Sequence, residues 1–263
     1  MTRTITIAAA VLAFVALAAC GRSEPGPAAA IEPRPGVAPP ASVIPPATRE
    51  LVTAIVDDWT ATRATLQRWR REGTTWRAIG EPWPGVIGKS GAGWGAGLHG
   101  IGAPRGHDGP TKHEGDGKSP AGVFALRGAY GYAKRPPSGI QLAYTPLDDA
   151  WKCVDDPASS HYDRILDQRT VAAVDWTSAE DMRRPDEAYT WVVDVAHNPA
   201  HAPGGGSCIF LHVWHGTDST TVGCTAMAEP KLAELIATLD PTAVFVLLPK
   251  ADYAALAPAW GLP

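Results

Sequence analysis

Twenty-seven glycines and ten tryptophans in 263 residues set the first limit on the fold. A glycine in a helix interior costs about 0.5–1 kcal/mol relative to alanine, so a chain this rich in glycine is poorly suited to long helices. Glycine suits turns, and tryptophan packs well on the half-buried faces of strands. The expectation is a mainly β domain with short helices, an α+β arrangement rather than a helical bundle.

The chain opens with Thr2, Arg3 and Thr4, followed by an uncharged apolar run from Ile5 to Ala19. That run is too short to span a bilayer comfortably and suits the apolar region of an export signal. It ends Leu17-Ala18-Ala19-Cys20, which resembles the lipobox of bacterial lipoproteins, with Cys20 lipidated after cleavage. An ordinary signal with a chance cysteine is the plainer alternative. Gly21 rather than Asp follows, which for a Gram-negative cell favours a lipid anchor on the periplasmic side of the outer membrane. Residues 1–19 are thus expected to be a signal peptide. Residues 20–48, rich in Pro, Ala and Gly, are expected to be a tether that cannot bury enough surface to fold. Residues 49–263 are then one domain, large enough for a substantial core.

The net charge of -4 supplies no basic field, and no nucleic-acid partner is expected. Arg68, Arg70 and Arg71 read as one solvated face of a short helix over Ala61 to Arg71. Strands are expected at Leu51 to Val56, Val86 to Lys89, Trp191 to Val195 and Ala243 to Leu248. Leu232, Leu235, Ile236 and Leu239 recur at helical spacing, with Pro230 in the first turn. Gly95, Gly97 and Gly100 match a dinucleotide-binding spacing, but Pro104 stands where the helix would run. The Gly117-Lys118-Ser119 triplet fails as a phosphate loop because Lys112 occupies the position of the required glycine.

The chemistry-bearing stretch runs from Gly204 to Cys224. Alternation over Ser207 to Val213 places Cys208, Phe210 and His212 on one face and Ile209, Leu211 and Val213 on the other. Cys224 follows twelve residues after His212, on a Gly223-Cys224 turn after a polar loop able to double back. An unperturbed thiol, of pKa about 8.5, is mostly protonated at neutral pH, so a histidine within reach raises the thiolate fraction and can later protonate a leaving amine. If Cys20 is lipidated, Cys153, Cys208 and Cys224 remain in an oxidising compartment. With Cys224 as nucleophile, Cys153 and Cys208 are either bridged or two buried free thiols. Asp155 and Asp156 read as a solvated turn before Pro157. His197 and His201, separated by Pro199, read as loop residues.

Two strings carry a family resemblance: Lys112-His-Glu-Gly-Asp-Gly-Lys-Ser-Pro-Ala-Gly-Val-Phe124, and the segment ending Thr221-Val222-Gly223-Cys224-Thr225. Together they resemble the YkuD-like L,D-transpeptidase catalytic domain, and the Asp155-Asp156-Pro157 segment with Ser160 and Tyr162 looks like one from the same subfamily. The resemblance implies a β-barrel or sandwich domain with Cys224 as nucleophile, His212 as general base and acid, and the Val213 carbonyl orienting the imidazole. It also implies oxyanion donors around Gly223, substrate contacts at Thr221 and Tyr162, and no metal or organic cofactor, while the loop position of His215 suits a surface or substrate-contact role. The implied partner is the peptidoglycan stem peptide, cut and transferred by a monomer at a membrane to which Cys20 anchors it, with carbapenem sensitivity. One departure stands out. Many members carry Ser/Thr-His-Gly-Cys, whereas Val222 replaces that histidine here.

Three other readings use the same residues. An L,D-carboxypeptidase or amidase would deliver the thioacyl group to water or act on another amide. A zinc hydrolase would use His212, His215 and Cys224, although the two histidines diverge in direction at a strand end. A non-catalytic peptidoglycan-binding lipoprotein would keep the fold without turnover.

Overall fold

The computed structural model describes residues 42–263. The signal-like run, Cys20 and the tether up to residue 41 lie outside the described residues. Packing begins ahead of the boundary expected at residue 49. Ile44 is only 1% exposed, and the Ser42 hydroxyl donates to the Trp260 carbonyl near the other end of the chain.

Strand β1 (Glu50–Val56) pairs antiparallel with β2 (Arg63–Glu72), which turns at Gly73, φ +62°, into β3 (Thr75–Val86). The short helix expected over 61–71 is therefore a strand. Ala64, Leu66 and Arg68 point inward while Arg63 and Thr65 stay exposed, a period of two that also fits the apolar positions. The arginine cluster is correspondingly not a solvated helix face. Arg68 is buried, with its Nη2 donating to Glu50 Oε2 at 2.6 Å and to the Thr238 carbonyl at 2.6 Å. Arg70 reaches the other oxygen of Glu50 at 2.9 Å. A buried arginine inside the sheet is tolerable because its charge and donors are matched.

The strand expected over 86–89 is only the end of β3. Gly88 then makes an isolated bridge to Thr221. Short strands β4 (Ala92–Trp94), β5 (Ala96–Gly97) and β6 (Gly100–Ile101) lead to the long β7 (Ser119–Gly131), which takes β8 (Tyr144–Pro146) in parallel. Strands β9 (Trp151–Cys153), β10 (Ile165–Asp167) and β11 (Glu180–Asp181) form a separate small sheet. Strands β12 (Trp191–Val195), β13 (Phe210–Val213) and β14 (Thr225–Met227) follow, then helix α1 (Glu229–Thr238), β15 (Val244–Pro249) and helix α2 (Lys250–Trp260). Pro230 lies in the first turn of α1, as its fixed φ and missing N–H favour. The chain does not end on β15, since α2 follows it directly.

The main sheet runs β12-β13-β14-β3-β2-β1-β15-β7, and β7 pairs back onto β12. That return closes a barrel-like ring and leaves none of these strands as a free edge within it. Among the described residues the fold is mainly β with two α-helices, as expected from composition. Its main core is apolar: Leu66, Trp83, Phe124, Leu211, Phe245 and Leu247 meet there with Leu232 and Ile236 from α1. A second buried cluster contains Cys153, Cys208, Cys224, Met182, Tyr189, Val192 and Phe210.

Candidate active site

Strand β13 divides its side chains between the two clusters. Ile209 and Leu211 belong to the barrel core, with Val213 packed against it, while Cys208 and Phe210 belong to the second cluster. The alternation read from the sequence holds, although the regular strand begins only at Phe210 and Cys208 takes φ +55°. Strand β14 runs parallel to β13, with Leu211 opposite Thr225 and His212 opposite Ala226. Cys224 therefore enters the second cluster beside Phe210, on the face that carries His212.

The His212 Nδ1–H donates to the Val213 carbonyl at 2.8 Å. This fixes the tautomer, leaving Nε2 as the basic nitrogen. Burial pushes the imidazole down to about 4, more than the Val213 carbonyl raises it, so the ring is neutral at physiological pH. The Tyr189 ring stands edge-on to it, with centroids 5.4 Å apart. The Tyr189 hydroxyl donates to Glu180 Oε2 at 2.5 Å, and burial and the Glu180 charge hold that phenol well above its ordinary range.

Cys224 is 4% exposed. Its thiol donates to the Cys208 carbonyl at 3.4 Å and accepts from the Phe210 N–H at 3.3 Å. Both hydrogen bonds go to backbone, and neither joins the sulfur to His212. Burial pushes the thiol well up and the nearby Glu180 carboxylate adds to this, so the resting pair is neutral thiol and neutral imidazole.

The backbone of Cys224 is pinned by the two strings that the sequence singled out. The Cys224 carbonyl accepts from the Thr221 hydroxyl at 2.6 Å and from Ser119 Oγ at 2.9 Å, and Ser119 Oγ accepts the Gly88 N–H at 2.9 Å. The Gly223 N–H is taken by Thr221 Oγ1 at 3.2 Å, which turns that amide away from an oxyanion role. Thr221 is a buried support of the turn rather than a substrate contact.

Tyr162 is likewise turned inward. Its hydroxyl meets Glu114 and accepts the Gly206 N–H, tying the 204–207 segment to the Lys112–Phe124 string. His215 is exposed, with Nε2 3.5 Å from Asp186 Oδ2. Asp156 caps its own turn by accepting from the Ala158 N–H and the Thr177 N–H and hydroxyl. Asp155 differs: its Oδ1 is buried without a hydrogen-bond partner. His197 and His201 lie in a loop as expected, with His197 bound between the Ala96 N–H and the Gly205 carbonyl.

Cys153 and Cys208 are bridged, with Cα atoms 6.0 Å apart, which leaves Cys224 as the free thiol among the described residues. The bridge ties β9 to the residue whose carbonyl holds the Cys224 thiol. A pocket of about 230 Å³ opens at Gly223 and Cys208, walled by Lys89 and Lys112 and by Glu114, Asp155 and Glu180. Among the described residues no group of three His, Cys, Asp or Glu side chains is arranged to hold a metal ion, so His212, His215 and Cys224 are not gathered as a ligand set.

Sequence reasoning passed over Ser119 and Lys112. Both lie inside the string it singled out, but nothing local shows that Ser119 reaches Cys224, 105 residues later.

Comparison with protein-family models, with curated proteins and with solved structures gave no match in any of the three.

Proposed function

We propose that the chain is a cysteine-dependent L,D-transpeptidase acting on peptidoglycan stem peptides. The observation that carries this reading is the pairing of His212 on β13 with Cys224, which stands immediately before the parallel strand β14. His212 has its Nδ1–H committed to the Val213 carbonyl, and Cys224 lies on the same face beside a pocket lined by charges of both signs. A base with one nitrogen tied and the other free, on the face that also carries the one free thiol among the described residues, is an arrangement suited to covalent acyl transfer.

The donor is a tetrapeptide stem. Cys224 Sγ forms a bond to the carbonyl carbon of the L-centre of diaminopimelate, and the thiol proton passes to His212 Nε2 after the sulfur leaves the Cys208 carbonyl. The C–N bond to the terminal D-Ala breaks, and the imidazolium returns its proton to the leaving amine. An amine of a second stem then displaces the thiolate from the thioacyl carbon, giving a 3-3 cross-link. Water in that place would give an L,D-carboxypeptidase. No metal or organic cofactor takes part. The chain acts at the periplasmic side of a membrane, anchored through Cys20.

Full-length protein and Cys224→Ala are incubated with purified muropeptides and the products weighed by mass spectrometry. Loss of tetrapeptide with formation of a dimer supports transfer, and tripeptide alone supports hydrolysis. Unchanged stems, or identical products from Cys224→Ala, would sink the reading.

A further inference from the structure

The buried thiol has a problem that His212 does not solve at rest. It forms no hydrogen bond to the imidazole, and the Gly223 N–H, the oxyanion donor expected from the sequence, is already taken by Thr221. A negative charge must still appear here, first on sulfur and then on the substrate oxygen, close to the carboxylate of Glu180. Something positive must face it.

One buried cation is placed to do so. The Lys112 side chain is only 3% exposed, and a Cβ added to Gly223 would stand 3.9 Å from its Nζ. Nζ donates to Asp116 Oδ1 at 2.7 Å and to the His113 carbonyl at 2.7 Å. An ammonium has three donors, so one N–H is left after these two, and the side chain lines the pocket that opens at Gly223. Asp116 is itself fixed by the His113 and Lys118 N–H groups, at 2.8 and 2.9 Å, within a turn whose glycines 115 and 117 both take φ +70°. The turn thus acts as a rigid mount for the lysine.

We propose that Lys112 is the electrostatic positioning residue of the site: its ammonium, mounted beside Gly223 by Asp116, supplies the positive charge against which the Cys224 thiolate and the substrate oxyanion form. This rests on Cys224 being the nucleophile proposed above. The groups facing the sulfur include Glu180 from β11, which disfavours the thiolate, and Tyr189, which is neutral. Arg184 and Lys112 favour it, together with the Phe210 N–H. Facing Lys112 are Asp116, neutral His197, and Glu114 and Asp155 across the pocket. A lysine that served only to brace the turn would leave the thiol's ionisation unchanged.

The test needs no substrate, so its failure is separable from failure of the proposed reaction. Iodoacetamide labelling of Cys224 in the full chain is followed by peptide mass spectrometry as a function of pH. In folded Lys112→Met the labelling midpoint should rise by about one pH unit, the scale expected for removing a unit charge from a partly buried site. In Lys112→Arg it should stay within a few tenths of wild type. A folded Lys112→Met whose midpoint matches wild type would overturn the proposal. Should that variant not fold, Lys112→Gln decides, because its amide removes the charge while keeping a donor for Asp116 and the His113 carbonyl. Its midpoint should rise as for Lys112→Met, and a midpoint that matches wild type would overturn the proposal.

Discussion

The barrel interior and the cluster around Cys224 are buried to the same degree and built from the same strand, yet they do opposite work. Inside the ring, Leu66, Phe124, Leu211, Phe245 and Leu247 offer no polar side-chain atom, so burial costs only conformational entropy and contributes stability through apolar contact. One residue along β13, on the other face, the same dryness surrounds a thiol, an imidazole and a phenol–carboxylate pair. There burial moves proton affinities instead, driving Cys224 up and His212 down so that both rest neutral. The difference teaches that the barrel supplies rigidity, while the second cluster uses that rigidity to shift proton affinities, keeping the thiol protonated and the imidazole neutral over a wider pH range than water would.

Substitutions should separate the two regions, the largest effect first. Cys224→Ala should lower turnover of stem peptides by at least about 10³-fold, as loss of a covalent nucleophile does, while moving the urea midpoint little. Phe124→Ala should do the reverse, costing about 3–5 kcal/mol in urea unfolding through the cavity it leaves. At temperatures where it remains folded, the pH midpoint of Cys224 labelling should be unchanged. A Phe124→Ala protein that is stable but shifted in that midpoint would show that the two regions are not separable.

The bridge between Cys153 and Cys208 joins the site cluster to the small sheet, so replacing both by serine should lower stability by about 2–4 kcal/mol. It should also slow turnover, because the Cys208 carbonyl holds the thiol. Ser119→Ala removes one of two donors to the Cys224 carbonyl and strands the Gly88 N–H, with an expected cost of about 1–3 kcal/mol in unfolding and reduced turnover.

Acid should act through the buried imidazoles. His212 and His197 are both pushed down to about 4 by burial, so between about 4 and 6.5 the unfolded chain binds protons that the folded chain refuses. Their contribution is complete above 6.5 and is lost as the pH falls through 4. Asp163 opposes this, because burial raises it to about 7 and its contribution, complete below 3.8, is lost as pH rises through 7. Thermal melts at pH 7 and pH 4.5 should therefore show a smaller acid-induced drop for His212→Gln than for wild type. An equal drop would mean that His212 is not buried neutral.

Much of this was legible in the chain. The period-two alternation from Ser207 to Val213 announced which face carries His212, and glycine and tryptophan content excluded a helical bundle. The strand at 63–72 was missed because its apolar residues satisfy both periods. Only the buried partner Glu50 explains why Arg68 can face inward. Closure of the ring by β7 onto β12 and the reach of Ser119 to Cys224 were also hidden, since both are contacts between residues far apart in the chain. Tyr162 and Thr221 illustrate a different limit. Their position near the site was readable, but whether a hydroxyl faces substrate or backbone depends on loop geometry that no spacing encodes.

The most direct test of the proposed nucleophile is the intact mass of the full chain, quenched in acid within seconds of mixing with tetrapeptide stems. The expected result is an adduct on Cys224 equal to the stem less its terminal D-Ala, absent in Cys224→Ala. Stem consumption by a protein that never carries that adduct, or the same adduct on Cys224→Ala, would contradict covalent catalysis by this thiol.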